Sequence, residues 1–130
     1  MVSEGEKLMI TSNIAFYPCI SIEETEAFYK NIIGLELVFS GGKARIFSAV
    51  KGHFGFVEYP DKKAATGRFC LSLNCSNEEY VDLEYDRIVA LGAKPLDKPK
   101  VHENHPVYSF FIEDPNGYLV EFQKIKNFSL

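Results

Sequence analysis

YSFFIEDPNGYLVEFQ, residues 108–123, is the stretch that decides the fold of this chain. Its two apolar-rich runs flank the tetrapeptide at 114–117, in which proline presets φ for a turn and glycine accepts a positive φ. A glycine-containing loop of this length between two strand-like runs predicts a β-hairpin. If side chains alternate along the second strand, Glu121 shares a face with Leu119 and Gln123, so the hairpin places an acid on a largely apolar strand.

Outward from this hairpin, the order strand, capped helix, glycine and three strands occurs twice. Ser21 with Glu24 predicts the capping box of a first helix, and Ser76 with Glu79 predicts the capping box of a second. Such a repeat predicts two βαβββ modules, because neither half buries its sheet well alone. We expect an α+β fold in which both modules form a curved mixed sheet around an inter-module cleft, with the helices outside. The chain is interpreted as a single domain over residues 1–130, with module one at about 8–60, a linker at 61–67 and module two at about 68–126.

Composition limits the classes of function. The 130 residues carry a net charge of −4 and no basic patch, so nucleic acid is not an expected partner. No apolar run is long enough to span a bilayer, so a membrane is not expected either. Cys19, Cys70 and Cys75 lack short metal-type spacing, and an odd count without a secretion signal predicts reduced thiols in a cytoplasmic protein.

Three motifs resemble the vicinal oxygen chelate superfamily, which includes glyoxalase I, fosfomycin-resistance enzymes, extradiol dioxygenases and bleomycin-resistance proteins. SIEETEAFY at 21–29, followed by IGL at 33–35, resembles the start of that family's module, and ALGA at 90–93 resembles the end of its second helix. FFIEDPNGYLVEF at 110–122 resembles its signature, in which an Asp-Pro-Asp/Asn-Gly turn precedes a metal-binding Glu. The resemblance covers residues 11–125 and implies the paired-module fold, whereas the family's chemistries are several.

The resemblance also implies a divalent metal, held by one residue from the first strand and one from the last strand of each module, usually His and Glu. Glu121 stands at the place in the last strand of module two, and Glu58 is the candidate in module one. The two histidine places hold Ile14 and, in module two, Phe69 or Cys70. With both imidazoles absent, we expect no metal cofactor, and a divalent metal, if bound, would use Glu58 and Glu121.

Strand counting predicts the side chains that line the cleft. A two-residue turn at Lys51-Gly52 pairs Val50 with His53, and the same register places Arg45 opposite Glu58. The cleft is then aromatic and acidic, which suits a flat or cationic molecule; the alternative is that these rings fill the space between modules as core. The predicted ligand-binding residues are Glu121, Glu58, Arg45, Phe47, Phe56, Tyr108, Phe110 and Phe16, with Cys70, Ser72 and Asn74 beside them.

The sequence therefore favours a glyoxalase- or bleomycin-resistance-like protein that binds a small cationic or aromatic molecule in the cleft without a standard metal site. The alternative is a divergent metal-dependent lyase, isomerase or dioxygenase of the glyoxalase type, using Glu58, Glu121 and a recruited histidine or water. A third hypothesis is a dimeric regulatory module. Edge strands at 8–20 and 68–75 allow a homodimer. His53, His102 and His105 fall in predicted turns and loops, either solvated or, for the last two, folded toward the cleft.

Overall fold

The computed structural model describes residues 9–130, and its helices and strands repeat in the predicted order. The α+β class and the two βαβββ modules are thereby confirmed, while the predicted start of module one near residue 8 lies outside the described residues. Module one contains β1 (Ala15–Pro18), α1 (Ile22–Ala27, continued by a π-helical segment, Phe28–Ile33), β2 (Glu36–Gly41), β3 (Ala44–Ala49) and β4 (Gly52–Val57). Module two contains β5 (Cys70–Asn74), α2 (Glu78–Ala90), β6 (Lys100–Val101), β7 (Val107–Glu113) and β8 (Leu119–Ile125).

Each module forms its own four-stranded mixed sheet. Sheet A has the strand order β1-β4-β3-β2, with β1 parallel to β4, and sheet B has the matching order β5-β8-β7-β6, with β5 parallel to β8. In the described part of the chain no backbone ladder joins the two sheets. The modules are instead united by one hydrophobic core and by side-chain hydrogen bonds.

Local sequence sets where both helices begin. Ser21 is the N-cap of α1, as predicted, and its hydroxyl accepts a hydrogen bond from the Glu24 amide at 3.3 Å. In α2 the N-cap is Asn77, whose side-chain oxygen accepts from the Tyr80 amide at 2.8 Å. The prediction of Ser76 as that cap is wrong by one residue, because the asparagine oxygen reaches the amide three residues on.

The helices cover one face of each sheet. Tyr29, in the π-helical segment, packs on Phe47 and Phe56 of sheet A, with ring centroids 5.7 and 4.6 Å away. Tyr85 of α2 packs edge-on against Phe110 of sheet B at 5.2 Å. We call the covered side of each sheet its helix face and the opposite side its open face.

The turn at 114–117 fastens module two to module one. Asp114 Oδ1 accepts hydrogen bonds from the amides of Asn116 and Tyr118, which shapes the turn. Its Oδ2 accepts from the hydroxyl of Tyr29 at 2.8 Å, and the side-chain oxygen of Asn116 accepts from the Ile20 amide at 2.8 Å. Burial, then the neighbouring Asp114 charge, raises the pKa of Tyr29 above its ordinary value.

A second fastening joins the two helices. The π-helical segment leaves carbonyl groups free at its end, and Gly34 ends it with a φ of 88°. The guanidinium of Arg87 in α2 donates to the carbonyls of Ile32 at 2.9 Å and Ile33 at 2.8 Å. Within residues 9–130, neither helix has the length and apolar character that crossing a membrane requires.

Candidate functional site

Glu121 lies on the open face of sheet B, near the middle of β8. The parallel pairing of β5 with β8 sets Ser72 beside Glu121, so both side chains project to the same face. The Ser72 hydroxyl donates to Glu121 Oε1 at 2.7 Å, and the Cys70 sulfur lies 3.9 Å from the same oxygen. Glu121 is 8% exposed, so its carboxylate is largely withdrawn from water. Its neighbours on β5 are polar side chains.

The Glu121 carboxylate is unpaired in charge. Among residues 9–130, no basic side chain lies within ion-pairing distance of it, and its second oxygen, Oε2, receives no hydrogen bond. Burial, then the neighbouring Glu121 charge, raises the pKa of the Cys70 thiol, although the Ser72 hydroxyl, whose oxygen lies 3.6 Å from the Cys70 sulfur, acts in the opposite direction. Cys70 is therefore a neutral thiol at neutral pH, which makes it a weak nucleophile and a weak metal ligand.

Arg45 and Glu58 do not lie on the same kind of face as Glu121. Arg45 Nε donates to Glu26 of α1, and Glu58 Oε1 accepts from the Ile22 amide, at the start of α1, at 2.9 Å. Lys43 lies 3.7 Å from the other oxygen of Glu58. Both residues belong to the helix face of sheet A, where they hold α1 in place, so the prediction that they line the cleft is wrong.

The predicted aromatic residues of the cleft are also on the helix faces, with one exception. Phe47, Phe56 and Phe110 are fully buried against the helices, which excludes contact with a ligand at an open face. The Tyr108 hydroxyl donates to Asp82 of α2 at 2.6 Å, and this hydrogen bond raises the pKa of Tyr108 to about 12. These four residues therefore pack between sheet and helix. This agrees with the alternative interpretation, in which the aromatic rings belong to the core.

Strand register accounts for these errors. In the 108–123 hairpin, Phe110 pairs with Phe122 and Phe111 pairs with Glu121, so Phe110 and Glu121 project to opposite faces. In module one the turn between β3 and β4 is one residue earlier than predicted. Arg45, Phe47 and Phe56 nevertheless share one face of sheet A, as expected. Alternation identifies which side chains lie together, but it does not say which face the helix covers.

Phe16, the exception, lies on the open face of sheet A and is 51% exposed. The two helix N-caps align the modules: five residues before each N-cap stand Phe16 in module one and Ser72 in module two. Because Phe16 pairs with Gly55 as Ser72 pairs with Glu121, the counterpart of Glu121 is Gly55 and not Glu58. The ring of Phe16 covers this glycine so closely that an added Cβ would lie 2.5 Å from it.

The residues present do not fit the metal that the resemblance implies. Its four ligand positions correspond to Ile14 and Gly55 in module one and to Cys70 and Glu121 in module two, which leaves a neutral thiol and one carboxylate. Transition-metal sites need more donors than this pair supplies. In the described chain, no three His, Cys, Asp or Glu side chains cluster in a way that could hold a metal ion.

The histidines lie outside β5 and β8, the two strands that carry Glu121 and its polar neighbours. His53 pairs with Ser48 in sheet A, and the rings of His102 and His105 lie 4.8 Å apart in the loop between β6 and β7. None of the three makes a hydrogen bond or ion pair with Glu121 in the part of the chain that the structure describes. They do not supply the imidazole that the metal-dependent alternative requires.

Comparison with known proteins identifies the family. The family model of the Glyoxalase/Bleomycin resistance protein/Dioxygenase superfamily matches residues 13–122, which is most of the chain. A search of curated proteins finds no match to the chain.

Solved structures share the fold at low sequence identity. A lactoylglutathione lyase from Agrobacterium tumefaciens is 20% identical, with a TM-score of 0.75, over 96% of this chain and 100% of that one. A glyoxalase/bleomycin resistance protein/dioxygenase from Nocardioides is 14% identical, with a TM-score of 0.74, over 96% of this chain and 90% of that one. A glyoxalase-related enzyme from Fulvimarina pelagi is 19% identical, with a TM-score of 0.68, over 90% and 88% of the two chains. At these identities the likeness concerns the fold.

Proposed function

Because this chain belongs to the glyoxalase/bleomycin resistance protein/dioxygenase superfamily, we propose that it uses the family's open-face location to bind a small cationic molecule, without a metal ion. One observation carries the proposal: Glu121 is a largely buried carboxylate with no cationic partner among the described residues. A buried unpaired charge costs free energy, so a site of this kind favours a ligand that brings the opposite charge.

The surroundings of Glu121 support an organic cation over a hydrated metal ion. Ser72 already directs its hydroxyl at Oε1, which leaves Oε2 for a ligand N–H group or a quaternary ammonium. Gln123 lies on the same face, where its Nε2 donates to Asn74 at 3.0 Å and its side-chain oxygen can accept from a ligand. The site thus combines one carboxylate with neutral acceptor oxygens, which suits the N–H groups of an ammonium or amidinium.

An aromatic ligand gains support from module one. Phe16 presents an exposed ring at the place that Ser72 holds in module two. A ring in this position stacks on a flat ligand and attracts a cation through its face. We propose that Phe16 and Glu121 act on one ligand where the open faces of the two modules meet, either within the chain or across a homodimer.

The homodimer itself is part of this proposal. The open face of sheet A leaves Ile14, Phe16 and Phe39 between 38% and 51% exposed, and a second copy would remove these side chains from water. Light scattering coupled to size exclusion checks the stoichiometry, and a strictly monomeric protein at micromolar concentration would contradict it. The reduced cysteines support the proposal of a cytoplasmic location. Cell fractionation checks it.

Proflavine, a flat aromatic cation, tests the ligand class by fluorescence anisotropy. We expect binding to the wild type and a weakening of about tenfold or more in Glu121→Gln, since a hydrogen-bonded charge contributes about 1.5–3 kcal/mol. Glu113→Gln is the matched control, because it removes the same charge from an exposed place on the same sheet. Equal affinities of the Glu121→Gln variant and the wild type would sink the proposal.

Elemental analysis tests the metal-independent part separately. Protein purified without chelator should contain no stoichiometric transition metal, and proflavine affinity should be unchanged by added EDTA. A stoichiometric metal that is lost in Glu121→Gln would instead favour the metal-dependent lyase or isomerase.

A further inference from the structure

A cavity of the described chain lies between the modules, and it is not at Glu121. It has a volume of about 640 Å³, within the range of small-molecule sites, and neither Glu121 nor Phe16 lines it. Module one contributes the end of its helix and the turn between β3 and β4, and module two contributes the ends of β5 and β8. Ser72, which donates to Glu121, and its neighbour Asn74 do line it, so the cavity adjoins the open face of sheet B beside the Glu121 carboxylate.

Its walls are mostly apolar. Ile33 and Leu35, at and just after the end of the first helix, line it together with side chains from both sheets. Such a surface accepts a hydrocarbon chain or ring, because burying apolar area is favourable at roughly 25 cal/mol per Å². The apolar lining residues are Ile33, Leu35, Phe54, Leu73, Phe122 and Ile125.

The charged lining groups that remain free are cationic. Lys51 donates from Nζ to the carbonyl of Leu130 at 3.0 Å, and Lys124 donates to the carbonyl of Phe128 at 2.7 Å. Neither ammonium has an Asp or Glu side chain at ion-pairing distance within residues 9–130. The single acidic lining residue, Glu84, is already paired with Arg87 at 2.6 Å.

Lys51 follows a residue with an uncommon backbone conformation at the rim of the cavity. The preceding residue, Val50, has a φ of 56°, which is a costly region for a β-branched side chain, and it is 94% exposed. The segment 128–130 lies across the same rim, held there by the two lysines. A ligand anion would take the place of these two carbonyl groups as the acceptor for both ammonium groups.

We propose that this inter-module cavity is a second binding site, and that its ligand class is an organic anion with an apolar body, a carboxylate on a medium-length hydrocarbon chain. The carboxylate meets Lys51 and Lys124, and the chain lies against the apolar walls. This site has the opposite charge preference to the Glu121 site, and its charge preference comes from Lys51 and Lys124 rather than from Glu121, so either one stands if the other fails.

Isothermal titration with decanoate, on the full chain, tests the proposal. We expect binding to the wild type, and a loss of about fivefold in affinity for each of Lys51→Gln and Lys124→Gln, as for partly exposed ion pairs. Lys98→Gln is the matched control, because Lys98 is an exposed lysine outside the cavity. Glu121→Gln should leave decanoate affinity unchanged, which separates this site from the open-face site.

Two further measurements place the ligand and its charge. Methyl NMR signals of Ile33, Leu35 and Leu73 should shift on addition of decanoate, and decyltrimethylammonium should bind at least tenfold more weakly. The proposal is overturned if decanoate does not bind, if Lys98→Gln weakens binding as much as the cavity variants, or if the cationic analogue binds equally well.

Discussion

On the open face of module one, Phe16 covers Gly55, whereas at the same two places of module two Ser72 donates a hydrogen bond to Glu121. The strand orders and the parallel pairings are the same in both sheets. The two modules therefore share a backbone frame but carry different chemistry on it. One face is apolar and aromatic, and the other carries a carboxylate with its hydroxyl donor.

This difference shows why half of a two-module site does not predict the other half. A metal site distributed over both modules needs donors from each, and module one supplies a glycine and an isoleucine where they would stand. An aromatic ring placed over a glycine stabilises a strand pair by covering exposed backbone. In module one a packing contact thus stands at the place where the resemblance implies a metal ligand.

The helix face and open face of sheet A should differ most in stability. Phe56→Ala removes a fully buried ring that stacks on Tyr29, and we expect it to lower the free energy of unfolding by about 3–5 kcal/mol. Phe16→Ala should cost about 1 kcal/mol, because half of that ring is in water. Urea denaturation measures both. Similar costs for the two variants would mean that the open face is core.

The Ser72 hydroxyl on the open face of sheet B should contribute to stability, whereas a serine hydroxyl on the open face of sheet A should not. Ser72→Ala leaves the Glu121 carboxylate without its donor and should lower the free energy of unfolding by about 1.5–2 kcal/mol. Ser48→Ala, on the open face of sheet A, should change it by less than about 0.5 kcal/mol. The same urea denaturation experiment checks both, and a neutral Ser72→Ala would show that water replaces the hydroxyl.

The contact between Phe16 and Gly55 is open to a double-mutant cycle. Gly55→Ala places a Cβ 2.5 Å from the ring and should cost about 1–2 kcal/mol in unfolding free energy. In a Phe16→Ala background the same change should cost clearly less, because the ring is gone and the remaining close neighbour, Ile14 Cγ2, lies 3.1 Å from the added Cβ. Thermal and urea unfolding of the four proteins give the coupling, and additive effects would argue against the packing contact.

The smallest expected effect concerns how firmly the two modules are held together. Tyr29→Phe removes the hydrogen bond to Asp114 and should cost about 1 kcal/mol at pH 8. Because burial raises the pKa of Tyr29, the unfolded chain ionises this group first as the pH rises above about 10, and stability then falls. Unfolding free energies between pH 8 and 11 should fall less steeply in the variant, and identical slopes would contradict the pKa assignment.

Much of the fold was predictable from local signals, and the site was predictable only in part. The hairpin turn at 114–117, the Ser21 cap and the shared face of Leu119, Glu121 and Gln123 all follow from turn chemistry and period-2 alternation. The roles of Arg45 and Glu58 do not follow from these signals, because alternation does not indicate on which side of the sheet α1 packs. Aligning the modules on Cys19 and Cys75, which precede both N-caps by two residues, was the signal that would have shown Gly55 as the counterpart of Glu121.

The turn at 114–117 has a consequence for how the chain unfolds. Asp114 and Asn116 are shaped by module two but complete their hydrogen bonding on Tyr29, Thr25 and the Ile20 amide of module one. If module one detached, these buried polar groups would lose partners that water would have to replace. Neither module is therefore a separable folding unit, and the duplicated halves should melt in a single cooperative transition, with amide protons in β1 and β8 exchanging at the same opening free energy.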